Sequence, residues 1–458
     1  MLANRVHNLA HFLEANFAKG VISSVPNSVE CAELFLACAI SGIKYFPLEN
    51  NCSKLKIEEM SSRVSIENIV ISQNSKLWQQ IDSESSSLKW ISLNEVQGDD
   101  CSCNFKSQPG LLLMESSGTT GEPKIMYISS NRLWNSAKTF GTFYGIHSQH
   151  RFWNYLSMSY LGGLFNLLLI PIAANSSIYI DEKFNAKSLI AFEKILMREE
   201  INVIWFVPTI IRGLLRSYNN RSVSPAFRNI EISFVGTAPI RSEEKKAFEE
   251  KFGIPVYENY GLSETTFLSC QKKDDFSNLD HFDSQGIPYP GVKIQIDINN
   301  LEGETEGEIL VQSPFLFEGY LESSSTEGST VENSWFHTGD VGKMVENRLV
   351  LTGRIREIIK KGGVLINLNQ IENKLKTALP GLNVIAVPIE DDYYGENYVL
   401  IVETFESDLD TDEFHLIASN TLGRGCSPKV TYKCFEFKYT QSGKIMKTAT
   451  LAALNKTK

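Results

Sequence analysis

At 458 residues, with 42% hydrophobic and 21% charged residues, the chain is too long for one ordinary domain and can bury large cores. A formal net charge of −10 argues against a general nucleic-acid binder, so an anionic ligand must be held by local groups. The eight scattered cysteines show no metal-ligand or redox spacing and predict free thiols. No window reaches the roughly twenty apolar residues of a membrane span, so a soluble, cytoplasmic protein is expected.

Residues 1–20 predict an amphipathic helix with Val6, Leu9, Ala10, Leu13 and Phe17 on one face, and lack a signal peptide's apolar core. A strand at Val21–Val25 and a helix over Glu30–Ser41, ended by Gly42, come next. Tyr45–Leu48 and Ile69–Ile71 continue the strand–helix alternation of a helix-flanked parallel sheet.

The most informative stretch is Leu111–Ser130. An apolar, strand-like run (Leu111–Met114) gives way to Ser116-Ser117-Gly118-Thr119-Thr120-Gly121-Glu122-Pro123-Lys124, then to a second strand from Ile125 to Ser129. The two glycines let the backbone curl, four hydroxyls and the exposed N–H groups can surround a phosphate, and Lys124 adds charge at the exit. The spacing is not that of the NTPase P-loop, and a polar hairpin turn explains the same composition equally well.

Farther on, Tyr160–Leu164 predicts a turn into an apolar helix, Val203–Val207 a buried strand stopped by Pro208, and Ile210–Tyr218 a helix. Ile232–Val235 is a strand ending in Gly236-Thr237-Ala238-Pro239. A β-rich section spans about Gly286–Leu351, with strands at Val292–Ile298, Glu308–Val311 and Arg348–Thr352. The last hundred or so residues alternate strands (Val384–Val387, Tyr398–Thr404, Thr431–Phe437) and helices (Gln370–Ala378, Thr411–Ser419), enough for a small α+β domain.

Tyr260-Gly261-Leu262-Ser263-Glu264 resembles an element of the adenylate-forming enzymes: acyl- and aryl-CoA ligases, peptide-synthetase adenylation domains and firefly luciferase. Seven further strings resemble the family's motifs in the family's order. They are the glycine-rich loop, Gly236–Pro239, Gly286–Gly291, Gly307-Glu308-Ile309 with Gly319-Tyr320, Trp335–Asp340, Gly353-Arg354 with Lys361-Gly362-Gly363, and Thr440–Lys444. The resemblance implies an α/β fold in which a large domain of helix-flanked sheets (1–354) carries a small β-barrel-like section. A mobile, small α+β domain (355–458) follows.

The resemblance also implies roles, and each fits the chemistry. A carboxylate attacking the α-phosphate of ATP brings two anions together, so charge neutralisation and alignment dominate the barrier. Ser116, Ser117, Gly118, Thr119, Thr120, Gly121 and Lys124 would hold phosphates. Glu264, with Thr119, would bind Mg²⁺, and Ser263 would donate to the α-phosphate. Thr237, Ala238, Pro239, Glu258 and Tyr260 would form the adenine slot, with Tyr260 stacked on the base, and Asn259 and Gly261 would join them in binding the cofactor. Asp340 would accept from the ribose hydroxyls with Arg354 in support. Lys444 would bridge the substrate carboxylate and the α-phosphate. Gly362 and Gly363 would admit a thiol arm. Tyr160, Gly162, Val235 and Gly236, with Leu161, Phe165, Trp205 and Phe206, are candidates for the acid pocket. His337 is read as structural.

Three departures from the family's pattern stand out. The chain opens at what resembles the family's first helix, without the strands that usually precede it. Arg356 stands at the hinge where Asp or Lys is usual. Tyr160 takes the place of a frequent gate histidine. No acid follows the strand expected at Leu156–Tyr160, where amino-acid-activating relatives carry an aspartate, so a non-amino acid is favoured.

The implied function is a two-step ligase using ATP, Mg²⁺ and a small-molecule carboxylic acid. An acyl-adenylate forms with release of pyrophosphate, and a thiol then takes the acyl group. CoA is the leading acceptor, and the phosphopantetheine arm of a carrier protein is the alternative. A non-catalytic nucleotide-binding protein of the same fold is a further reading, disfavoured because Lys444, Glu264 and the loop are all present.

Overall fold

The computed structural model describes residues 2–17, 19–50, 52–81, 88–96, 109–116, 124–237, 240–272, 275, 282–298, 305–321, 331–332, 334–362, 364–379, 381–404, 410–423, 425–439 and 445–455. The described chain divides into two compact units. The first takes in Met1–Asn278, Pro288–Lys293 and Gln312–Ser329, and the second Leu279–Ile287, Ile294–Val311 and Thr330–Lys458.

In the first unit, local chemistry sets the early elements. Helix α1 spans Leu2–Asn16 and buries Val6, Leu9, Ala10 and Leu13. Strand β1 is Val21–Ser24. Helix α2 (Val29–Ser41) starts at Ser28, whose hydroxyl accepts the Cys31 N–H, and stops at Gly42 in the left-handed conformation (φ 77°). Strands β2 (Lys44–Leu48), β3 (Asn68–Ile71) and β4 (Lys89–Ser92) pair in parallel with β1 or each other. Strands β5 (Leu111–Ser116) and β6 (Lys124–Ser129) form an antiparallel hairpin in the same sheet, and Gly319–Tyr320 adds a last strand against β6. The order is Gly319–Tyr320, β6, β5, β2, β1, β3, β4.

A second sheet carries β7 (Arg151–Asn154), β8 (Ser177–Ile180), β9 (Val203–Phe206), β10 (Ile232–Val235), β11 (Val256–Tyr260) and β12 (Ser269–Cys270). They run in the order β12-β11-β10-β9-β7-β8. β9, β10 and β11 are parallel, so their carboxyl ends lie side by side. Pro208 starts the helix after β9, a place where its missing N–H does no harm.

One expectation needs correction here, and one is refined. Leu156–Tyr160 is not a strand: the strand ends at Asn154, and the segment turns back over Asn27, whose amide accepts the Met158 N–H (2.9 Å) and donates to the Leu156 carbonyl (2.8 Å). The apolar run after it is a π-helix, Gly162–Leu169, with all eight residues buried. Apolar periodicity over so short a run does not separate helix types.

In the second unit, the β-rich section is a five-stranded sheet: Lys293–Asp297, Gly307–Gln312, Trp335–Val345 and Val331–Glu332 in order, with Arg348–Arg354 on Trp335–Val345. A second sheet joins Ile358–Lys361, Val364–Asn367, Asn383–Asp391, Gly395–Glu403 and Thr431–Cys434. Its core gathers Ile359, Leu368, Leu375, Tyr398, Leu400 and Phe414 beneath the helices Leu368–Ala378 and Thr411–Leu422.

Candidate active site

The glycine-rich stretch is the loop of the β5–β6 hairpin. Ser116 pairs with Lys124, so the loop's two ends are held side by side. Ser117, Gly118, Thr119, Thr120 and Gly121 lie outside the described residues. Lys124 sets its ammonium 5.3 Å from the centroid of the Tyr320 ring, a cation–π contact. The Tyr320 hydroxyl donates to Glu264 Oε1 at 2.8 Å, and the Phe317 N–H donates to the Glu264 carbonyl at 2.7 Å. Pairing of Tyr320 with Met126 on β6 makes this possible. One aromatic side chain thus joins the loop's exit lysine to the expected Mg²⁺ ligand. Glu264 is half-buried, as is Ser263 beside it.

Behind Glu264 the backbone is crowded. A Cβ on Gly261 would lie 1.7 Å from the Thr266 carbonyl oxygen, so only glycine fits. Thr266 itself sits at φ 58°, and its hydroxyl meets that of Ser136 at 2.8 Å. β11 brings Glu258, Asn259 and Tyr260 beside Val235 and Gly236, with Val235 opposite Glu258. Gln271 anchors this strand: its N–H donates to the Glu258 carbonyl (3.0 Å), and its Oε1 accepts both the Glu258 N–H (2.9 Å) and the buried Lys245 ammonium (2.6 Å). Asn259 points inward, its Oδ1 accepting from the buried Tyr144 hydroxyl at 2.8 Å. Tyr260 is 8% exposed.

Thr237 departs most from ordinary backbone. It holds φ 70°, which a β-branched residue avoids, and its buried hydroxyl finds no partner among the described residues. Ala238 and Pro239 lie outside the described residues. The carboxyl ends of parallel strands are where open α/β sheets take ligands.

At the expected acid pocket, Tyr160 folds over Gly162: a Cβ there would lie 2.4 Å from Tyr160 Cε2. Burial, and then the nearby Glu49 carboxylate, push the Tyr160 hydroxyl above its usual range, so it stays protonated. Glu49 Oε1 also accepts from the Ser159 hydroxyl at 2.8 Å.

In the second unit, Asp340 and Arg354 face each other across adjacent strands, Arg354 Nε lying 2.7 Å from Asp340 Oδ1. Glu308 supports the turn before them: its Oε1 accepts the Gly339 N–H (3.0 Å), and its Oε2 lies 2.9 Å from His337 Nδ1. His337 thus has a carboxylate partner on the neighbouring strand of its own sheet. Burial and then the neighbouring Arg354 disfavour the charge on Arg356. Gly362 stands at φ 54°, where a Cβ would press on Tyr394, and Lys361 donates to the Ser427 carbonyl at 2.6 Å. Gly363 and Lys444 lie outside the described residues. A bridge between Tyr439 and Ile445 closes the ends of the segment that carries Lys444. Three residues on, Lys447 is tied 2.8 Å from both Glu357 and Glu372.

Sequence reasoning missed two features. Gly319-Tyr320 was recognised as a string, but nothing in it announces that the tyrosine would reach Glu264. Trp205 is a pocket candidate by its apolar ring, and nothing in the sequence announces that its buried indole N–H has no acceptor among the described residues.

Parallel strand ends carrying a strained threonine, and a hairpin loop tied to an acidic turn, are the frame of a nucleotide-handling α/β enzyme. A family model described as AMP-binding enzyme matches residues 1–321. A 2-succinylbenzoate–CoA ligase of Oceanobacillus iheyensis is 25% identical over 356 residues, 76% of this chain and 71% of that protein. ATP-bound MatB from Rhodopseudomonas palustris superposes with a TM-score of 0.85 at 20% identity, covering 100% of this chain and 92% of that one. The o-succinylbenzoate CoA synthetase of Bacillus subtilis, in complex with ATP and magnesium ion, gives 0.81 at 19% identity, covering 98% and 93%. The chain belongs to the AMP-binding enzyme family.

Proposed function

We propose that this chain is an AMP-forming acid–thiol ligase. ATP and a carboxylic acid give an acyl-adenylate and pyrophosphate; the thiol of CoA then attacks the acyl carbon, forming the thioester and releasing AMP. The observation that carries this reading is the Lys124–Tyr320–Glu264 linkage, which gathers a cation and an oxygen ligand at the stem of the glycine-rich loop. Glu264, with Thr119, would hold Mg²⁺, which supplies charge neutralisation on the phosphates. The unpartnered Thr237 hydroxyl suits a nucleotide at the ends of β10 and β11. Asp340 and Arg354 would take the ribose, and Lys444 would steady the attacking carboxylate and the α-phosphate.

Residues 355–458 would then turn about Arg356, withdrawing Lys444 and presenting Lys361-Gly362-Gly363 to the thiol arm. An aryl acid is the favoured substrate, in keeping with the named relative, a 2-succinylbenzoate–CoA ligase. The cytoplasm is the compartment that suits the six free thiols among the described residues. No described helix is long and apolar enough to cross a membrane.

A carrier-protein arm is the second reading for the acceptor. It is favoured by exposed Val364, Leu365 and Tyr393 near Lys361 and Gly362. Mass detection of products from ATP, Mg²⁺ and 2-succinylbenzoate, with either CoA or a phosphopantetheinylated carrier protein, decides between them. Acyl-CoA is the expected product. Acylation of the carrier alone would overturn the choice of acceptor.

A further inference from the structure

Strands β9 and β10 end beside a small unfilled spot. Trp205 precedes the last residue of β9, and Gly236 directly follows β10; the register sets Trp205 opposite Phe234. The tryptophan is 1% exposed, yet its indole N–H finds no acceptor among the described residues. A buried indole N–H ordinarily has one, because a desolvated donor left unpaired is costly. Packing accounts for the ring: its centroid lies 5.4 Å from that of Phe140, 4.8 Å from Phe234 and 5.7 Å from Phe267. Phenylalanine could supply those contacts. The nitrogen is the part left unexplained.

That nitrogen borders Gly236. A Cβ built there would lie 3.5 Å from Trp205 Nε1 and 3.4 Å from the Asn259 carbonyl oxygen, both ordinary contact distances. The missing side chain therefore leaves a methyl-sized space with an N–H donor in its wall. The next residue, Thr237, carries the second unpartnered polar atom and the strained backbone. Two buried groups without partners among the described residues thus belong to the carboxyl ends of neighbouring parallel strands, the usual place for a ligand. With Thr237 serving the nucleotide, the indole is left for the acid.

We infer that the acid activated by this chain carries, besides its reacting carboxylate, an oxygen acceptor such as a ketone that receives the Trp205 indole N–H. The inference rests on the acid-activating reading above and names the substrate class of that site. Trp205 touches no reacting atom in this account; it determines specificity. A hydrocarbon acid of the same shape leaves the donor unpaired, whereas an oxo acid satisfies it and exchanges its water for the indole.

The matched pair 4-oxo-4-phenylbutanoate and 4-phenylbutanoate, which differ only in the ketone, tests this. Acid-dependent ATP–pyrophosphate exchange on the wild type is expected to favour the oxo acid by roughly tenfold or more in kcat/KM. Trp205→Phe supplies a ring for the same packing and should bring the ratio towards one, the oxo acid losing more than the hydrocarbon acid. A purely structural role would lower both acids together and leave the ratio unchanged, which would overturn the inference, as would equal use of the two acids by the wild type.

A second readout does not need adenylation. In protein with ¹⁵N-labelled tryptophan, the indole resonance absent from Trp205→Phe should move downfield with the oxo acid and stay in place with 4-phenylbutanoate. That shift without any exchange would retain the binding site and sink the ligase chemistry instead. A resonance unmoved by either acid would overturn the inference itself.

Discussion

Tyr320 shows how much a single side chain organises. Its hydroxyl fixes one oxygen of Glu264 at 2.8 Å while its ring face receives Lys124. Tyr320→Phe keeps the ring and deletes the donor, so Glu264 loses its orientation but the hairpin keeps its packing. The expected result is a rise in the Mg²⁺ concentration needed for half-maximal exchange and a roughly tenfold fall in kcat/KM for ATP. Unfolding free energy should change by less than about 1 kcal/mol. An unchanged Mg²⁺ dependence would show that Tyr320 does not orient the metal ligand. Glu264 and Lys124 were legible in the sequence because their strings are short and local. Tyr320's part was not: it depends on a strand pairing that joins residues far apart along the chain. The same holds for Trp205, whose unpaired nitrogen exists only once β9 and β10 are side by side.

At the scale of elements, the strand at Ile232–Val235 and the hairpin around the glycine-rich loop follow the sequence reading closely. Both are short apolar runs ended abruptly by turn residues. The turn at Leu156–Tyr160 did not follow it, because hydrogen bonds with Asn27 decide it, and the expected apolar helix takes a π form over Gly162–Leu169 that its short apolar run does not announce. The helix Ser242–Phe252 that braces β11 carries a measurable consequence. Its Glu249 accepts the Val256 N–H at 2.9 Å, and burial raises its carboxyl from 4.5 to about 7 despite that bond and the nearby Lys245 ammonium. A carboxyl whose folded pKa is raised binds more protons in the native state, so it lowers stability as pH climbs between about 4.5 and 7. Glu249→Gln should therefore match the wild type near the bottom of that window and exceed it above the top. The gain should be on the order of 1 kcal/mol, since the group is partly screened by solvent. Urea melts at both ends of the window would show this. A variant equally stable to wild type at high pH would remove the buried-charge explanation.

On the scale of the whole molecule, the order of motifs carried most of the information. Eight strings in sequence pointed to one fold, and the family match over residues 1–321 agrees. What the sequence did not show is the side-chain pairing inside each unit. The first unit supplies the loop stem, Glu264 and the ends of β10 and β11. Within the second, Asp340 pairs with Arg354, and Lys447 is tied to both Glu357 and Glu372. The central claim is that Lys444 and Glu264 serve the same adenylation. Acid-dependent ATP–pyrophosphate exchange with Mg²⁺, measured across fatty, aryl and amino acids for wild type and Lys444→Ala, addresses it most directly. The account predicts exchange with at least one non-amino acid and its near-complete loss in the variant. Exchange that survives in Lys444→Ala, or no exchange with any acid by a wild type that still binds ATP, would contradict it.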